Sequence, residues 1–349
     1  MTYKNEINTK AIEDLQGIMG RLPDFCKQFL NAKNYSLSAR TRLGYARDLE
    51  IFLYFIKVHN PMYANLDIKE IPFNAVKALV TQDIDEYMAM LESYTFNGKK
   101  CHNSAAGKRR KLAAVRELYK YLCKCGYCKT NPASLTETPK DEEKKIIRAL
   151  DNDEKRALYR QIKDTSALSD RQIAIHKTLE IRDLAIVTLF LGTGIRVSEL
   201  VGLNLDDIDL KHQYIMVLAK GGKYTQHFFN EDVYRSLDNY LTYCRGNLKP
   251  SASEEALFLS RRGSRIGVRN VEMIIKNYSS SALGKDRAIT PHKLRSTYGT
   301  DLYAATGDIA LVSDNLGHAD ISTTKHYYAK QNIENLRKNK EFKIFTDEN

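Results

Sequence analysis

The sequence predicts a mainly α-helical protein of two domains, with a small antiparallel β-sheet in the second domain. The length of 349 residues exceeds the roughly 100–200 residues of one typical domain. Apolar residues recur at helical spacing through most of the chain, and short alternating runs stand at 206–210, 214–218 and 224–229. A hydrophobic content of 43% is enough to build cores, so we expect a globular protein.

Three amphipathic segments define the first domain, which we place at residues 1–138. In each of them a residue that can begin a helix precedes apolar side chains at helical spacing. These residues are Ser36 or Ser38, Thr81 and Ser104. The expected apolar faces are Tyr45, Leu49, Phe52, Leu53 and Ile56, then Ile84, Tyr87, Met88 and Leu91, and finally Leu112, Val115, Tyr119 and Leu122.

The positive charge is concentrated in this first domain. The chain carries a net charge of +11, and residues 99–129 hold ten basic side chains and a single acid, Glu117. Such a patch is typical of a surface that contacts nucleic-acid phosphates, although a solvated charged face is the alternative. The candidate DNA-binding residues on the third helix are Lys108, Arg109, Arg110, Lys111, Arg116 and Lys120.

A charged segment with Pro139 separates the domains, and we place the linker at residues 139–148 and the second domain at 149–349. In the second domain the sequence predicts a helix near 151–163, a polar loop and an apolar helix over 181–191. The three alternating runs predict the antiparallel sheet, with Gly221-Gly222 turning between the last two. The remaining third has a helical pattern.

The cysteines and the N-terminal residues narrow the class of protein. Cys123, Cys125 and Cys128 invite a zinc site, but no second Cys/His pair stands at ligand spacing. We therefore expect reduced thiols and no metal. The first residues resemble no secretory signal, and no run approaches the ~18 apolar residues that would span a membrane, so a cytoplasmic location is expected.

Four fragments of the second domain carry side chains that suit a phosphodiester substrate. They are GTGIRVSEL, the turn AKGGK, PHKLR and LGHADISTTKHYY. Each fragment alone is more typical of packing or of solvated side chains. The signal is the ordered set with its separations, formed by Arg196, Lys220, His292, Arg295, His318 and Tyr327.

This ordered set resembles the tyrosine recombinase (phage integrase) family over nearly all of residues 180–330. The resemblance includes the 24-residue step from Arg196 to Lys220 and a tyrosine nine residues after the LGH histidine. In the first domain, SLSARTRLGYARDLEIFLYF resembles the family's core-binding helix. Within the family, the length and RDLAIVTLFLGTGIRVSEL are most similar to the single-enzyme Xer recombinases of Gram-positive bacteria. The resemblance implies a SAM-like helical core-binding domain followed by an α+β catalytic domain.

The resemblance also implies how the phosphate is held. A diester carries one negative charge, and nucleophilic attack builds a second. Arg196 and Arg295 are expected on the non-bridging oxygens, because a guanidinium is always charged and binds two oxygens with a planar fork. His318 is expected to donate a further hydrogen bond. Glu199 either orients the arginines or is a surface acid.

Proton transfer is assigned in the same way. A free tyrosine has a pKa of about 10, so the phenol must lose its proton as it attacks. The resemblance gives the nucleophile as Tyr327, with Tyr328 packing elsewhere, and gives His292 as the proton acceptor. Lys220 is expected to protonate the leaving 5′ oxygen. The 3′-phosphotyrosyl link conserves the energy of the broken bond, so no metal, ATP or other cofactor is required.

Two departures from the family pattern and two alternative functions stay open. The strand after Lys220 has KYTQHFF in place of the usual arginine, which leaves the role of Lys223 in doubt. Ser296 stands where a histidine is frequent. The alternatives are a type IB topoisomerase, which relaxes DNA without exchanging partners, and a catalytically silent DNA-binding protein.

The resemblance further implies the partners. They are a double-stranded DNA recombination site and three further copies of the chain, in a homo-tetramer that holds two sites and passes through a Holliday junction. The C-terminal tail is expected to dock on a neighbouring subunit through Ile333, Leu336, Phe342, Ile344 and Phe345. The task is chromosome dimer resolution, integration and excision, or inversion, at the nucleoid. The need for an accessory protein and the target sequence stay open.

Overall fold

The structure is a computed structural model that describes residues 3–140, 149–166, 170–218, 222 and 224–317. The chain divides into two compact units, residues 1–144 and 145–349. Helices account for most of the described residues, and the strands are short and antiparallel. This confirms the predicted fold class.

The first unit consists of helices and one β-hairpin. Its elements are α1 (Tyr3–Met19), α2 (Asp24–Ala32), α3 (Ala39–His59), α4 (Phe73–Lys77), α5 (Thr81–Met90), β1 (Tyr94–Phe96), β2 (Lys99–Cys101) and α6 (Ala105–Lys124). The three predicted helices are α3, α5 and α6. Ser38 begins α3 by accepting a hydrogen bond from the backbone N–H of Thr41, and Ser104 does the same for α6 from Gly107.

The predicted apolar faces meet in the core of the first unit. Phe52 of α3 packs edge to face against Tyr87 of α5, with 5.2 Å between ring centroids, and against Tyr119 of α6 at 6.5 Å. All three rings are fully buried. The hydroxyl of Tyr119 donates to the carbonyl oxygen of Val76 over 2.7 Å, which satisfies its polar atom inside the core.

The β1–β2 hairpin was not predicted, because this stretch was assigned to helices and their connections. Asn97 and Gly98 form its turn with φ values of 49° and 73°, and an Asn-Gly pair with two positive φ values is typical of the tightest hairpin turn. The Asn-Gly pair was therefore a sequence signal for this element. The hairpin stands immediately before α6.

The second unit places a three-stranded sheet among helices. Its elements are α7 (Asn152–Lys163), α8 (Asp170–Thr193), α9 (Val197–Gly202), β3 (Ile208–Asp209), β4 (Tyr214–Leu218), β5 (Tyr224–Phe228), α10 (Glu231–Asn239), α11 (Val268–Leu283), α12 (Pro291–Thr306) and α13 (Ile309–Leu316). The strands pair in the order β3–β4–β5, all antiparallel, as predicted. Of the predicted turn, Gly221 lies outside the described residues.

Helix α8 is longer than predicted. We expected its start at Ile181, but it begins at Asp170, so the predicted polar loop is wrong from residue 170 onward. The first turns carry many charged and polar side chains, which conceals the helical period. Along its length α8 packs against α10 and α12, and this contact brings the end of α8 and the start of α12 into the same region.

Candidate active site

The glycine break after α8 positions Arg196. Gly194 has φ +63°, a conformation that side chains other than glycine rarely adopt, and a Cβ atom there would lie 2.3 Å from the Tyr298 ring. The chain therefore turns tightly against α12 and continues into Arg196, which is the N-cap residue of α9. Arg196 therefore stands at the start of a new helix, directly after the glycine break.

Arg196 is fixed by an acid within its own helix. Its Nη1 donates to Oε1 of Glu199 over 2.8 Å, and its backbone N–H donates to Oε2 over 2.7 Å. The Glu199 side chain is 8% exposed, whereas the Arg196 side chain is 39% exposed. Glu199 is therefore buried against Arg196, and one edge of the guanidinium stays open to solvent.

Arg295 approaches Arg196 from α12. Its side chain is almost fully buried, with Nη1 donating to the carbonyl oxygen of Gly194 over 2.6 Å and Nη2 donating to that of Leu316. Arg196 donates through Nη2 to the carbonyls of Leu316, at 3.3 Å, and Gly317, at 3.0 Å. The two guanidiniums thus share one acceptor.

The shared acceptor is the C-terminal end of α13. The last carbonyls of a helix lack partners within it and carry partial negative charge, so they suit cationic donors. Gly317 ends α13 with φ +55°, and a Cβ atom there would lie 3.7 Å from Nη1 of Arg196. The end of α13 therefore anchors the arginine pair directly before His318 in the chain.

His292 lies one helical turn before Arg295, at the N-terminus of α12, and keeps contact with solvent. Partial burial lowers the pKa of its imidazole, and the positive charges of Arg295 and Arg196 lower it further. The imidazole is therefore neutral at pH 7, which is the form that can accept a proton.

The lowered pKa of His292 predicts a particular pH dependence. Proton acceptance requires the neutral imidazole, so strand cleavage should be constant through neutral pH and fall only below the ordinary histidine range near 6.5. We expect His292→Gln to lower single-turnover cleavage by about 10²-fold and to remove this acid limb. His212→Gln, at an exposed histidine paired with Asp209, is the matched control. If cleavage by His292→Gln still fell at low pH in the same way, the titrating group would be a residue other than His292.

A buried histidine beside the arginines was not predicted. His227 on β5 is 7% exposed, and its Nε2 lies 3.3 Å from Oγ1 of Thr225. Burial lowers its pKa most, Arg295 and Arg196 lower it further, and Glu199 opposes them. In the strand register His227 pairs with Ile215, so it occupies a position on the core face where an apolar residue is usual. The alternation of side chains along the strand was therefore the sequence signal that could have predicted the burial of His227.

The described residues contain part of the predicted site. Arg196, Glu199, His292 and Arg295 come together as described above. Lys220, His318 and Tyr327 lie outside the described residues, as do Lys223, Tyr328 and the tail that carries Ile333, Leu336, Phe342, Ile344 and Phe345. Strand β4 ends at Leu218, two residues before Lys220.

The predicted basic face of α6 differs from expectation at Lys111. We placed this lysine on the surface, but it is 5% exposed, and its Nζ lies 3.6 Å from the carboxylate of Asp48, which is itself 1% exposed. Burial lowers the pKa of Lys111. The reason is an acid on α3 that faces α6, so Lys111 is withdrawn from the candidate DNA surface.

The other five candidate DNA-binding residues of α6 are accessible to different degrees, and each has a partner within the unit. Lys108 pairs with Glu92, Arg110 with Asp48, and Lys120 with Glu117. Arg109 donates to the carbonyl of Pro139. Arg116 donates to the carbonyls of Ala133 and Thr136 and to the hydroxyl of Thr138. Arg116 therefore holds the segment after α6 against the helix.

Two further properties concern membranes and metals. Within the described part of the chain, no helix is long and apolar enough to cross a membrane. Over the same residues, no three His, Cys, Asp or Glu side chains are grouped so that they could hold a metal ion. Cys128 packs against the core of the first unit, and Cys125 is exposed.

Comparison with known proteins agrees with this arrangement. A family model described as the phage integrase family matches residues 148–334. Among solved structures, an XerH site-specific recombinase bound to palindromic difH substrate aligns over 91% of this chain and 82% of its own, with a TM-score of 0.65 and 20% identity. The Tn1549 transposon integrase in complex with circular intermediate DNA aligns over 92% and 100%, with a TM-score of 0.66 and 20% identity.

The chain belongs to the phage integrase family and is a site-specific tyrosine recombinase. Individual relatives that it resembles include Xer recombinases. The tyrosine recombinase XerC of Pseudomonas entomophila is 33% identical over 307 residues, covering 88% of this chain and 90% of the relative. That of Caldanaerobacter subterraneus subsp. tengcongensis is 30% identical over 320 residues, covering 88% and 83%. The predicted family and enzyme class are confirmed.

Proposed function

We propose that the chain cleaves one DNA strand by attack of Tyr327 on a backbone phosphate, which leaves a 3′-phosphotyrosyl link. The arginine pair holds the phosphate, His292 accepts the phenolic proton, Lys220 protonates the leaving 5′ oxygen and His318 donates to the phosphate. Glu199 orients Arg196. The proposed catalytic set is Arg196, Lys220, His292, Arg295, His318 and Tyr327.

The observation that supports this proposal most strongly is the convergence of two guanidiniums on the Leu316 carbonyl. Two positive charges held side by side repel each other unless an anion lies between them. Glu199 and the end of α13 offset part of this repulsion. A phosphodiester would offset the remaining repulsion between the guanidiniums, and it would do so most in the transition state, where its negative charge rises from one to two. The site therefore binds the transition state more strongly than the substrate, which is the condition for catalysis.

We further propose duplex DNA as the substrate, with the first unit as core-binding domain and the second as catalytic domain. The net charge of +11 supports a polyanionic partner. Four copies would hold two sites and exchange strands through a Holliday junction, with the C-terminal tail docked on a neighbour. The XerC relatives favour chromosome dimer resolution, in the cytoplasm at the nucleoid, over integration, excision or inversion.

The test of this proposal uses a nicked suicide substrate. Binding sites are first selected from a random duplex pool, and the selected duplex is nicked so that the fragment released by cleavage diffuses away. We expect a denaturant-resistant protein–DNA adduct whose nucleotide-bearing peptide contains Tyr327. An adduct mapped to another segment would overturn the nucleophile, and binding without any adduct would support a silent DNA-binding protein.

The selected binding site, placed on plasmids, also distinguishes site-specific recombination from relaxation of supercoiled DNA. A type IB topoisomerase would relax a plasmid that lacks the selected site and would not exchange strands between two sites. The matches with recombinases and an integrase do not favour that alternative. We expect two plasmid-borne sites to recombine without added metal or ATP. Relaxation of site-free plasmid with no recombinant product would overturn the proposed task while keeping the chemistry.

A further inference from the structure

The β1–β2 hairpin carries cations of a different kind from those in the part of α6 that precedes Glu117. Between Glu92 and Glu117 the sequence has no acid, and its basic residues are Lys99, Lys100, Lys108, Arg109, Arg110, Lys111 and Arg116. The five on α6 have partners within the unit. Lys99 and Lys100 are exposed, and neither ammonium has a partner among the described residues. The unpaired charge of this stretch therefore stands on the hairpin.

The hairpin is fixed to the body of the first unit. The hydroxyl of Tyr54 on α3 donates to the carbonyl oxygen of Thr95 over 2.7 Å, and the Tyr54 ring packs edge to face against Phe96 with 5.1 Å between centroids. The positive φ values at Asn97 and Gly98 close the hairpin in two residues. A fixed hairpin presents its lysines without a large loss of backbone entropy on binding.

The two lysines lie on opposite faces of the hairpin. In the register Lys100 pairs with Thr95 and Lys99 with Phe96, and successive side chains of a strand alternate between faces. A two-stranded ribbon is narrow enough to enter the major groove of duplex DNA, which has phosphates on both sides. Lysines on both faces therefore suit a ribbon that enters a groove better than one that lies flat on a surface.

We propose that the β1–β2 hairpin is a second DNA-contacting element of the first unit, in which Lys99 and Lys100 bind backbone phosphates. The partner is duplex DNA flanking the position of α6, so this inference rests on the proposed function. Neither lysine must give up an intramolecular acid to meet a phosphate. In contrast, Lys108 must give up its ion pair with Glu92, and Arg110 its ion pair with Asp48, to bind DNA.

The test is the salt dependence of binding to the selected duplex. Each phosphate contact contributes about 0.9 to the slope of log K against log salt concentration. We expect the double variant Lys99→Ala/Lys100→Ala to lower that slope by about 1.8, and Lys99→Arg/Lys100→Arg to keep it. Tyr54→Phe should weaken binding in the same direction, because it removes the hydrogen bond that helps to fix the hairpin to α3.

The matched control removes two exposed lysines at the opposite end of α6. Lys77 lies close enough to Cys128 for its charge to affect the thiol. Lys129 is the residue after Cys128 in the chain. The 20 residues of α6 separate this region from the hairpin by about 30 Å. Lys77→Ala/Lys129→Ala carries the same change in net charge and should keep the slope. Equal losses in both double variants would reduce the effect to net charge and overturn the hairpin contact.

The experiments distinguish a failure of the hairpin contact from a failure of the proposed function. The hairpin variant should still form the covalent adduct at saturating protein concentration, because no residue of the catalytic set is changed. If the unmodified protein forms the adduct but the slope of the hairpin variant is unchanged, the hairpin contact is wrong and the function stands. If the unmodified protein binds duplex without forming an adduct, and the slope falls, the contact stands and the function is wrong.

Discussion

Replacing Tyr327 with Phe is expected to abolish covalent capture of DNA, while replacing Tyr328 with Phe leaves it within a few-fold. The phenylalanine ring keeps the shape of the side chain but has no oxygen that could attack phosphorus. Loss of a covalent nucleophile lowers turnover by at least about four orders of magnitude. With the nicked suicide substrate, the adduct of Tyr327→Phe should therefore fall below detection.

Duplex binding is the control for this pair of variants. Removal of one hydroxyl leaves the charge of the protein unchanged, so both variants should bind the selected duplex with the same affinity and the same salt slope. The measurement is the adduct formed per bound duplex, scored on a denaturing gel. Adduct formation by Tyr327→Phe, or its loss in Tyr328→Phe with binding intact, would move the nucleophile to the neighbouring position.

The sequence was most informative where local chemistry determines local structure. Ser38 and Ser104 were recognisable as caps because a hydroxyl before an apolar period satisfies the first N–H groups of a helix. The start of α8 was missed because its polar first turns have no period that could be read. The hairpin was missed although Asn97-Gly98 indicated it, since the stretch between the two predicted helices was taken as a connection.

The candidate site shows a different limit. The side-chain types of Arg196 and Arg295 were predictable from their motifs, but their anchor was not. It consists of the Leu316 and Gly317 carbonyls, and a backbone acceptor has no signature in the sequence. The burial of Lys111 was equally hidden, because it depends on Asp48, an acid 63 positions earlier that only the packing of α3 on α6 brings near.

Replacing Arg295 with Lys is expected to lower single-turnover cleavage by about 10²- to 10³-fold, the usual loss when one preorganised donor to a transition-state oxyanion is removed. Lysine keeps the charge but lacks the planar fork. Its three N–H donors stand on one nitrogen, so they cannot reproduce the separate Nη1 and Nη2 contacts with the Gly194 and Leu316 carbonyls and also bind a phosphate. Duplex affinity should change by only a few-fold, because one phosphate contributes little to the total.

Arg196→Lys provides the comparison, because the two arginines differ in burial. The Arg295 residue is 4% exposed, so its replacement takes the donor from the buried Gly194 carbonyl, at a cost of about 1–3 kcal/mol. The Arg196 side chain is 39% exposed, so water can take over part of its contacts. We therefore expect similar losses of cleavage in the two variants, and a clearly larger drop in the melting temperature for Arg295→Lys.

This comparison separates catalysis from folding at the shared anchor. If the cleavage loss followed the melting temperature, Arg196→Lys would stay nearly active, and the arginine pair would serve to hold α13 against α12 and not to bind phosphate. If both variants lose cleavage while only Arg295→Lys loses stability, the end of α13 is the support and the guanidiniums are the phosphate donors. A shared carbonyl that fixes two cations in advance makes the second outcome the expected one, because the repulsion between them is then relieved most by the doubly charged transition state.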